Sequence, residues 1–172
     1  MHTICIGGRQ PEIAAAELEA IFGAPKVQQI EDTVFTLNVP TDEVNFDRFG
    51  SLVKIGKILT ILDSVSWPEI LKYLVQTTPE HAAYVPDGKL TIGVSLYGIQ
   101  ARPAKIREDV IAIKKAIQKT GRSVRIVPNK TPDLSSAQVI HNKLTGSNGW
   151  ELLCVRYGEK TILAQTTRIQ DI

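Results

Sequence analysis

Residues 134–144 read LSSAQVIHNKL, and the start of this stretch carries a clear helix signal. Ser135 followed three residues later by Gln138 is the pattern of a capping box, in which the serine hydroxyl accepts a first-turn N–H and the glutamine reaches back. The pattern predicts a helix over residues 133–144. A helix N-terminus with free N–H groups and hydroxyls also suits an anion such as phosphate. We favour the cap, and the two roles can coexist.

Strand and helix patterns surround this stretch on both sides. Residues 101–120 predict a long helix with a core-facing apolar stripe. The stripe consists of Ile106, Val110, Ile113 and Ile117. The other predicted elements are a helix from residue 66 to about 76, a loop over 77–87, strands over 89–96 and 123–127, and a hairpin of 151–157 with 160–165.

The first 62 residues alternate between strand and helix patterns. The predicted elements are a strand over 3–7, a helix over 12–22, strands over 26–30 and 33–39, a short helix over 42–49 and a strand over 54–62. The order β-α-β-β-α-β is that of the split βαβ, or ferredoxin-like, unit. We therefore expect an α/β (α+β) protein with a ferredoxin-like domain over residues 1–65 and a second α/β domain over 66–172.

The composition excludes several classes of protein. With 43% hydrophobic and 22% charged residues, the 172-residue chain is globular. No apolar run approaches the roughly 18 residues of a transmembrane helix, and the N-terminus lacks the pattern of a signal peptide, so we expect no membrane contact and a cytoplasmic location. Cys5 and Cys154 lie in separate apolar runs, which favours buried, reduced thiols over a disulfide.

Charge is distributed unevenly along the chain. The net charge is +2 overall, −4 over residues 1–66 and +6 over residues 67–172. Residues 102–130 alone carry nine basic side chains against two acidic ones. Such a run is either a solvated basic helix face or a surface that binds a polyanion. We favour the polyanion, because the basic run continues past the helix into the next strand and loop.

No pattern of catalytic residues stands out. GxSxG, GxGxxG and GxxxxGK[ST] motifs are absent, and the three histidines have no Ser or Cys nucleophile pattern near them. No cluster of Cys and His suggests a metal. A nucleic-acid surface is better supported, and the low aromatic content, 6%, favours recognition of the backbone and shape of a folded RNA over base stacking.

Several stretches together resemble the THUMP domain, an RNA-binding module of thiouridine synthases, RNA methyltransferases and pseudouridine synthases. They are GVSLYG (93–98), KKAIQKTGRSVRIV (114–127), LSSAQVIHNKL (134–144), ELLCVRYG (151–158) and LAQTTRIQDI (163–172). With CIGGRQPEIAAAELEAIFG (5–23) and KIGKIL (54–59), nearly the whole chain is similar to the front half of tRNA guanosine-10 N2-methyltransferases.

The resemblance implies a function for the whole chain. In that family a ferredoxin-like domain and a THUMP domain grip tRNA, and THUMP holds the single-stranded 3′ acceptor end. Catalysis belongs to a C-terminal Rossmann-like domain that binds S-adenosylmethionine and carries an Asp/Asn-Pro-Pro-Tyr motif, which this sequence lacks. We therefore expect no activity and no cofactor for these residues alone, either as part of a methyltransferase or as a stand-alone binding protein.

The resemblance and the charge run together give the candidate RNA-binding residues. The basic candidates are Arg107, Lys114, Lys115, Lys119, Arg122, Arg125 and Lys130, and the residues that match the LSSAQVIHNKL motif are Ser135, Ser136, Gln138, Asn142 and Lys143. Two alternatives stay open. The chain could be an adaptor that presents tRNA to a separate enzyme, or a protein-interaction module whose basic face meets an acidic partner.

Overall fold

A single eight-stranded sheet runs through residues 1–171, the part of the chain that this computed structural model describes. The strands are β1 (Thr3–Gly7), β2 (Val27–Glu31), β3 (Val34–Leu37), β4 (Leu52–Leu62), β5 (Leu90–Tyr97), β6 (Val124–Ile126), β7 (Gly149–Tyr157) and β8 (Lys160–Ile169). Their order in the sheet is β2-β3-β1-β4-β8-β7-β5-β6. The pairs β5–β6 and β5–β7 are parallel, and the other pairs are antiparallel. The combination of this sheet with helices confirms the expected α/β class.

Five helices cover the sheet. They are α1 (Pro11–Phe22), α2 (Trp67–Ala82), α3 (Pro103–Asp109), α4 (Ile111–Gln118) and α5 (Ser136–His141). Helix α1 packs on β1, β3 and β4, while α2, α3 and α4 share a core with β5 and β7. Neighbouring residues of β7 alternate between cores: Leu152 belongs to the core of α2–α4, and Leu153 faces the other side of the sheet.

The sheet curls until its edge strand β2 contacts β7. The curl encloses a second apolar cluster, which includes Ile4, Val34 and Leu153. Gly98 lies where the two strands meet, with φ +74°, and a Cβ there would lie 2.7 Å from the carboxyl carbon of Glu31. The left-handed backbone is the reason for glycine at this position, since the Glu31 carboxylate lies at the end of a flexible side chain that can move aside.

The pairing of β4 with β8 joins the two predicted domains in one sheet. The register runs from Lys54 opposite Ile169 to Leu62 opposite Thr161. At Gly56 the strands approach so closely that a Cβ would lie 2.8 Å from the Gln165 carbonyl oxygen. The division of the chain at residue 65 stays a prediction, and the strands on either side of it are hydrogen-bonded to each other.

The short helix predicted over residues 42–49 is instead two 3-10 turns, Thr41–Glu43 and Phe46–Arg48. The core beneath α1 takes up Val44, Phe46 and Phe49. Residues two apart in an α-helix do not share a face, so one helix could not bury both Val44 and Phe46. The β-α-β-β order of the preceding elements agrees with the prediction.

Helix α2 continues to Ala82, so the predicted loop over 77–87 begins six residues too early. Pro79 lies inside the helix and has no N–H to donate. The hydroxyls of Thr77 and Thr78 donate to the carbonyls of Tyr73 and Leu74, at 2.9 and 2.7 Å. We attribute the continued helix to the burial of Leu74, Thr78 and Ala82 along one face, which offsets the free-energy cost of a proline inside a helix.

Two further helix boundaries differ from the prediction. The helix over 101–120 divides into α3 and α4 at Val110, although its four-residue apolar stripe is fully buried as expected. Helix α5 is six residues long instead of twelve. It begins after Ser135, whose backbone is extended (φ −70°, ψ 159°) and whose side chain caps the helix, and Lys143, at φ +54°, follows its end in a left-handed conformation.

Both cysteines are free and buried. Burial raises the pKa of Cys5 and of Cys154 from 9.0 to about 12. Burial thus favours the neutral thiol in the folded chain. Below pH 9 the thiols are neutral in both the folded and the unfolded chain, and the free energy of unfolding falls as the pH rises from 9 towards 12, because the unfolded chain then loses these protons first.

We expect these thiols to react slowly with Ellman's reagent until the chain unfolds. At pH 8 the raised pKa lowers the thiolate fraction roughly 1000-fold relative to the unfolded chain. The measurement compares labelling in buffer with labelling in denaturant. Rapid labelling of the folded chain would contradict the buried placement.

Candidate nucleic-acid interface

The candidate residues gather around β6, the strand at one edge of the sheet. Helix α4 packs against β6 on one side. On the other side the Arg125 guanidinium of β6 donates to Asn142 Oδ1 at the end of α5. Within β6, Val124 points into the core and Arg125 is exposed. We call this region, formed by β6, α4, α5 and the connecting loop 127–135, the β6 edge.

Most of the candidate side chains are accessible. Those that are exposed are Arg107, Lys115, Lys119, Arg125, Lys130, Ser135 and Lys143, and those that are half-buried are Lys114, Arg122, Ser136, Gln138 and Asn142. Within residues 1–171 none of the eight basic candidates forms an ion pair; the five ion pairs use other lysines and arginines. No carboxylate within residues 1–171 therefore lies within 4 Å of their charged nitrogens.

Arg122 has a structural role besides its charge. Its Nη1 donates to the carbonyls of Ala82 and Val85, at 3.1 and 2.9 Å, and its Nε donates to Gly88 at 2.9 Å. Its Nη2 donates to the Pro86 carbonyl. One guanidinium thus donates to four carbonyls at and beyond the end of α2, where a helix leaves its last carbonyls without intrahelical partners. Ala82 also accepts the Val85 N–H and Pro86 the Asn148 side chain, so the carbonyls of Val85 and Gly88 depend most on Arg122.

The loop after β6 is held from several directions. Arg107 Nη1 of α3 donates to the Asn129 carbonyl at 2.5 Å. The Asn129 side chain is fully buried, and its Nδ2 donates to the Val94 carbonyl of β5 at 2.8 Å. Gln138 Nε2 of α5 donates to the Pro128 carbonyl at 3.0 Å. These contacts fix the loop and leave Lys130 exposed on its surface.

The capping box predicted at the start of α5 is confirmed. Ser135 Oγ accepts the Gln138 N–H at 3.2 Å, and Gln138 Oε1 accepts the Ser135 N–H at 3.1 Å. Asn142 Nδ2 also caps the helix by donating to the Gln138 carbonyl at 2.8 Å. Ser135, Gln138 and Asn142 therefore shape this helix, whatever else they contact.

A buried ion pair that was not predicted from the sequence lies beneath α5. Lys54 Nζ of β4 is 2.8 Å from Glu151 Oε2 of β7, and the two side chains are 2% and 0% exposed. Each is a charged residue at an inward position of a largely apolar strand, and that pattern was the available signal. We call Lys54, Glu151 and the hydroxyl groups of Ser95 and Thr166 that donate to Glu151 the buried network.

Tyr97 lies against the same network. Lys54 Nζ is 5.9 Å from the centre of the Tyr97 ring. Burial raises the pKa of Tyr97 well above its ordinary value, and the negative charges of Glu151 and Asp133 raise it further. The tyrosine therefore stays a neutral phenol over the physiological pH range.

Two kinds of site are not found in residues 1–171. No group of three or more His, Cys, Asp or Glu side chains is arranged to hold a metal ion. No helix in this range has the length and apolar character needed to cross a membrane. The described residues do place basic side chains without ion-pair partners along the β6 edge.

Comparison with known proteins gives matches in structure only. No protein-family model matches the chain, and a search of curated proteins finds no match. Among solved structures, TrmN from Thermus thermophilus is similar over 99% of this chain and 46% of its own, with a TM-score of 0.54 and 13% identity.

Two other solved structures are similar to a comparable degree. A 4-thiouridine synthetase in a complex with RNA and bound ATP matches 99% of this chain and 42% of its own, at TM-score 0.50 and 15% identity. PH1313 from Pyrococcus horikoshii Ot3 matches 96% of this chain and 54% of its own, at TM-score 0.51 and 12% identity. At such identities the similarity shows a shared fold. The chain spans about half the length of each of these proteins.

Proposed function

We propose that this chain is the tRNA-binding region of an S-adenosylmethionine-dependent tRNA (guanine-N2) methyltransferase. It would grip the 3′ acceptor end and so position the substrate for a catalytic domain. The observation that carries the proposal is the β6 edge, where exposed basic side chains without carboxylate partners surround the motif that resembles THUMP.

The shared fold supports the same proposal. One solved structure with this fold is a 4-thiouridine synthetase in a complex with RNA, and another is TrmN. We carry RNA binding over from the first of these. The finer assignments are ours as well: a ferredoxin-like unit over residues 1–65, a THUMP unit over 66–172 and methylation at N2 of guanosine 10.

The remaining parts of the proposal concern the whole protein. S-adenosylmethionine would bind a Rossmann-like methyltransferase domain, and none of the residues described above is assigned to it. The proposed location is the cytoplasm. In this arrangement the chain binds tRNA and sets the distance from the 3′ acceptor end to the target base, and the methyltransferase domain carries out the chemistry.

The physical basis for binding is electrostatic. Lysine and arginine side chains that contact phosphates release condensed counterions, so the affinity falls steeply as the salt concentration rises. The side chains best placed for this are Lys115, Lys119 and Lys130, which are exposed and make no ion pair within residues 1–171. Arg125 adds a planar guanidinium that can contact a phosphate with two N–H groups.

We expect the chain to bind tRNA and to lose affinity when these charges are removed. The triple variant Lys115→Gln, Lys119→Gln and Lys130→Gln should bind about tenfold or more weakly at moderate salt. Its plot of log affinity against log salt should be less steep by about 2–3, one unit for each phosphate that the variant no longer neutralises. Fluorescence anisotropy with labelled tRNA over a salt series measures both quantities.

A matched triple variant controls for net charge. Lys26→Gln, Lys57→Gln and Lys72→Gln removes three exposed lysines that also make no ion pair in the described chain, but that lie outside the β6 edge. This variant should keep most of the affinity. An equal loss in both triples would mean that net charge, and not the β6 edge, accounts for binding.

The acceptor-end assignment needs a second ligand. Intact tRNA should bind more tightly than the same tRNA with its 3′ single strand removed. Equal affinity for the two would exclude a grip on the acceptor end and leave a generic polyanion surface.

Binding assays with tRNA and with protein partners separate the two alternatives. An adaptor would bind tRNA in the same way and would also form a complex with a separate modifying enzyme. A protein-interaction module would keep an acidic protein partner and bind no tRNA.

A further inference from the structure

We propose that Lys54 is a positioning residue for the RNA interface: through it, strand β4 fixes the backbone at Leu134, directly before the capping box of α5. The inference rests on the proposed function, and it gives Lys54, in the N-terminal part of the chain, a role in RNA binding that requires no RNA contact by Lys54 itself.

The first support is the set of partners around the ammonium group. Lys54 Nζ lies 2.8 and 3.1 Å from the two carboxylate oxygens of Glu151 and donates to the Leu134 carbonyl at 3.4 Å. Lys54 is 2% exposed. A buried ammonium requires compensation from acceptors on several sides, and here one of them is the backbone of Leu134.

The second support is that the same carboxylate holds the other side of Leu134. Ser95 Oγ donates to Glu151 Oε2 at 2.6 Å and accepts the Leu134 N–H at 2.9 Å. A closed ring of hydrogen bonds therefore runs from the Leu134 N–H through Ser95, Glu151 and Lys54 to the Leu134 carbonyl. Thr166 Oγ1 donates to the remaining Glu151 oxygen, also at 2.6 Å.

The third support is the segment directly after Leu134 in the chain. Ser135 and Gln138 form the capping box, Gln138 holds the Pro128 carbonyl, and Asn142 accepts from Arg125. A displacement at Leu134 would therefore pass through short, direct contacts into the loop that carries Lys130 and into the partner of Arg125. These are residues of the β6 edge.

Stability alone does not account for the buried network. Apolar residues of similar volume in place of a buried ion pair often leave a protein as stable or more so, whereas buried polar groups can select one arrangement among several. The network spans β4, β5, β7 and β8, the strands of both predicted domains. It therefore fixes the position of β4 relative to Leu134 and the start of α5.

The test uses two variants that release Leu134 in different ways. Lys54→Met with Glu151→Gln removes both charges and the donor to the Leu134 carbonyl. Ser95→Ala keeps the ion pair but removes the acceptor of the Leu134 N–H, and it stays informative if the double variant does not fold. Leu18→Ala, in the core beneath α1, is the control that lowers stability with the network intact.

Two measurements are made on each variant at a temperature where it is folded. In both network variants, the hydrogen-bonded amides of residues 134, 135, 138 and 139 should exchange about tenfold faster, and tRNA should bind about five- to tenfold more weakly. Leu18→Ala should change neither, because a role in stability alone does not alter the affinity of the folded chain.

The outcomes separate this inference from the proposed function. Unchanged exchange and affinity in the network variants would overturn the positioning role, and so would equal effects in Leu18→Ala. If the wild-type chain binds no tRNA, the proposed function fails and the role in RNA binding fails with it. The exchange data then decide whether Lys54 still positions residues 134–139.

Discussion

Glu151→Ala should lower the free energy of unfolding by about 3–5 kcal/mol, as much as truncating a large core side chain. The variant leaves the Lys54 ammonium, which is 2% exposed, without its counter-charge. It also removes the acceptor of the Ser95 and Thr166 hydroxyls. Urea unfolding followed by the fluorescence of Trp67 and Trp150 measures the loss.

Asp63→Ala is the matched control. It also removes the carboxylate of a lysine ion pair, but the Lys160–Asp63 contact is 3.5 Å long and its side chains are 56% and 90% exposed. Exposed pairs of this kind contribute little, so no measurable change is expected. Adding Lys54→Met to Glu151→Ala should recover part of the lost stability, since no buried charge then lacks a partner. Equal losses in Glu151→Ala and Asp63→Ala would contradict this account.

Arg122→Ala should lower the free energy of unfolding by about 1–3 kcal/mol. The reason is that the carbonyls of Val85 and Gly88 lose their donor. The Ala82 and Pro86 carbonyls each lose one donor and keep another, the Val85 N–H and the Asn148 side chain. Arg122→Lys should restore only a small part, because an ammonium cannot reproduce the planar fork of donors. Thermal unfolding followed by circular dichroism measures both variants.

Arg125→Ala is the control for Arg122→Ala. Arg125 is exposed, and its one side-chain hydrogen bond within residues 1–171 goes to Asn142. Its removal should leave the melting temperature nearly unchanged and lower the affinity for tRNA. A loss of stability from Arg125→Ala as large as that from Arg122→Ala would contradict the structural role given to Arg122. RNA contact by Arg122 itself stays a prediction, because its substitution changes the fold and the charge together.

The features that could be predicted from the sequence are those set by residues close together in the chain. The stripe from Ile106 to Ile117 follows from helical periodicity, and it is buried as expected. The capping box at Ser135 is a contact between residues three apart. The hairpin of β7 and β8 follows from the turn at Gly158 between two apolar runs.

The features that could not be predicted depend on residues far apart in the chain. The network of Lys54 and Glu151 joins positions 97 residues apart, and either residue alone is only a charge within an apolar strand. The same holds for Arg122, whose carbonyl partners lie more than 30 residues earlier. The basic run indicated a charged surface, but nothing in the sequence distinguished Arg122 from Lys119 or Arg125.

The pairing of β4 with β8 also has a consequence for synthesis on the ribosome. Strand β4 ends at Leu62, and its partner begins about 100 residues later, so one side of β4 has no partner until Ile169 has emerged. At 5–20 residues per second, that interval lasts about 5–20 s. During this time the nascent chain exposes an open strand edge, which can pair with other chains. The N-terminal half therefore completes its sheet only after translation of the last strand, and this is the period when chaperones would protect it.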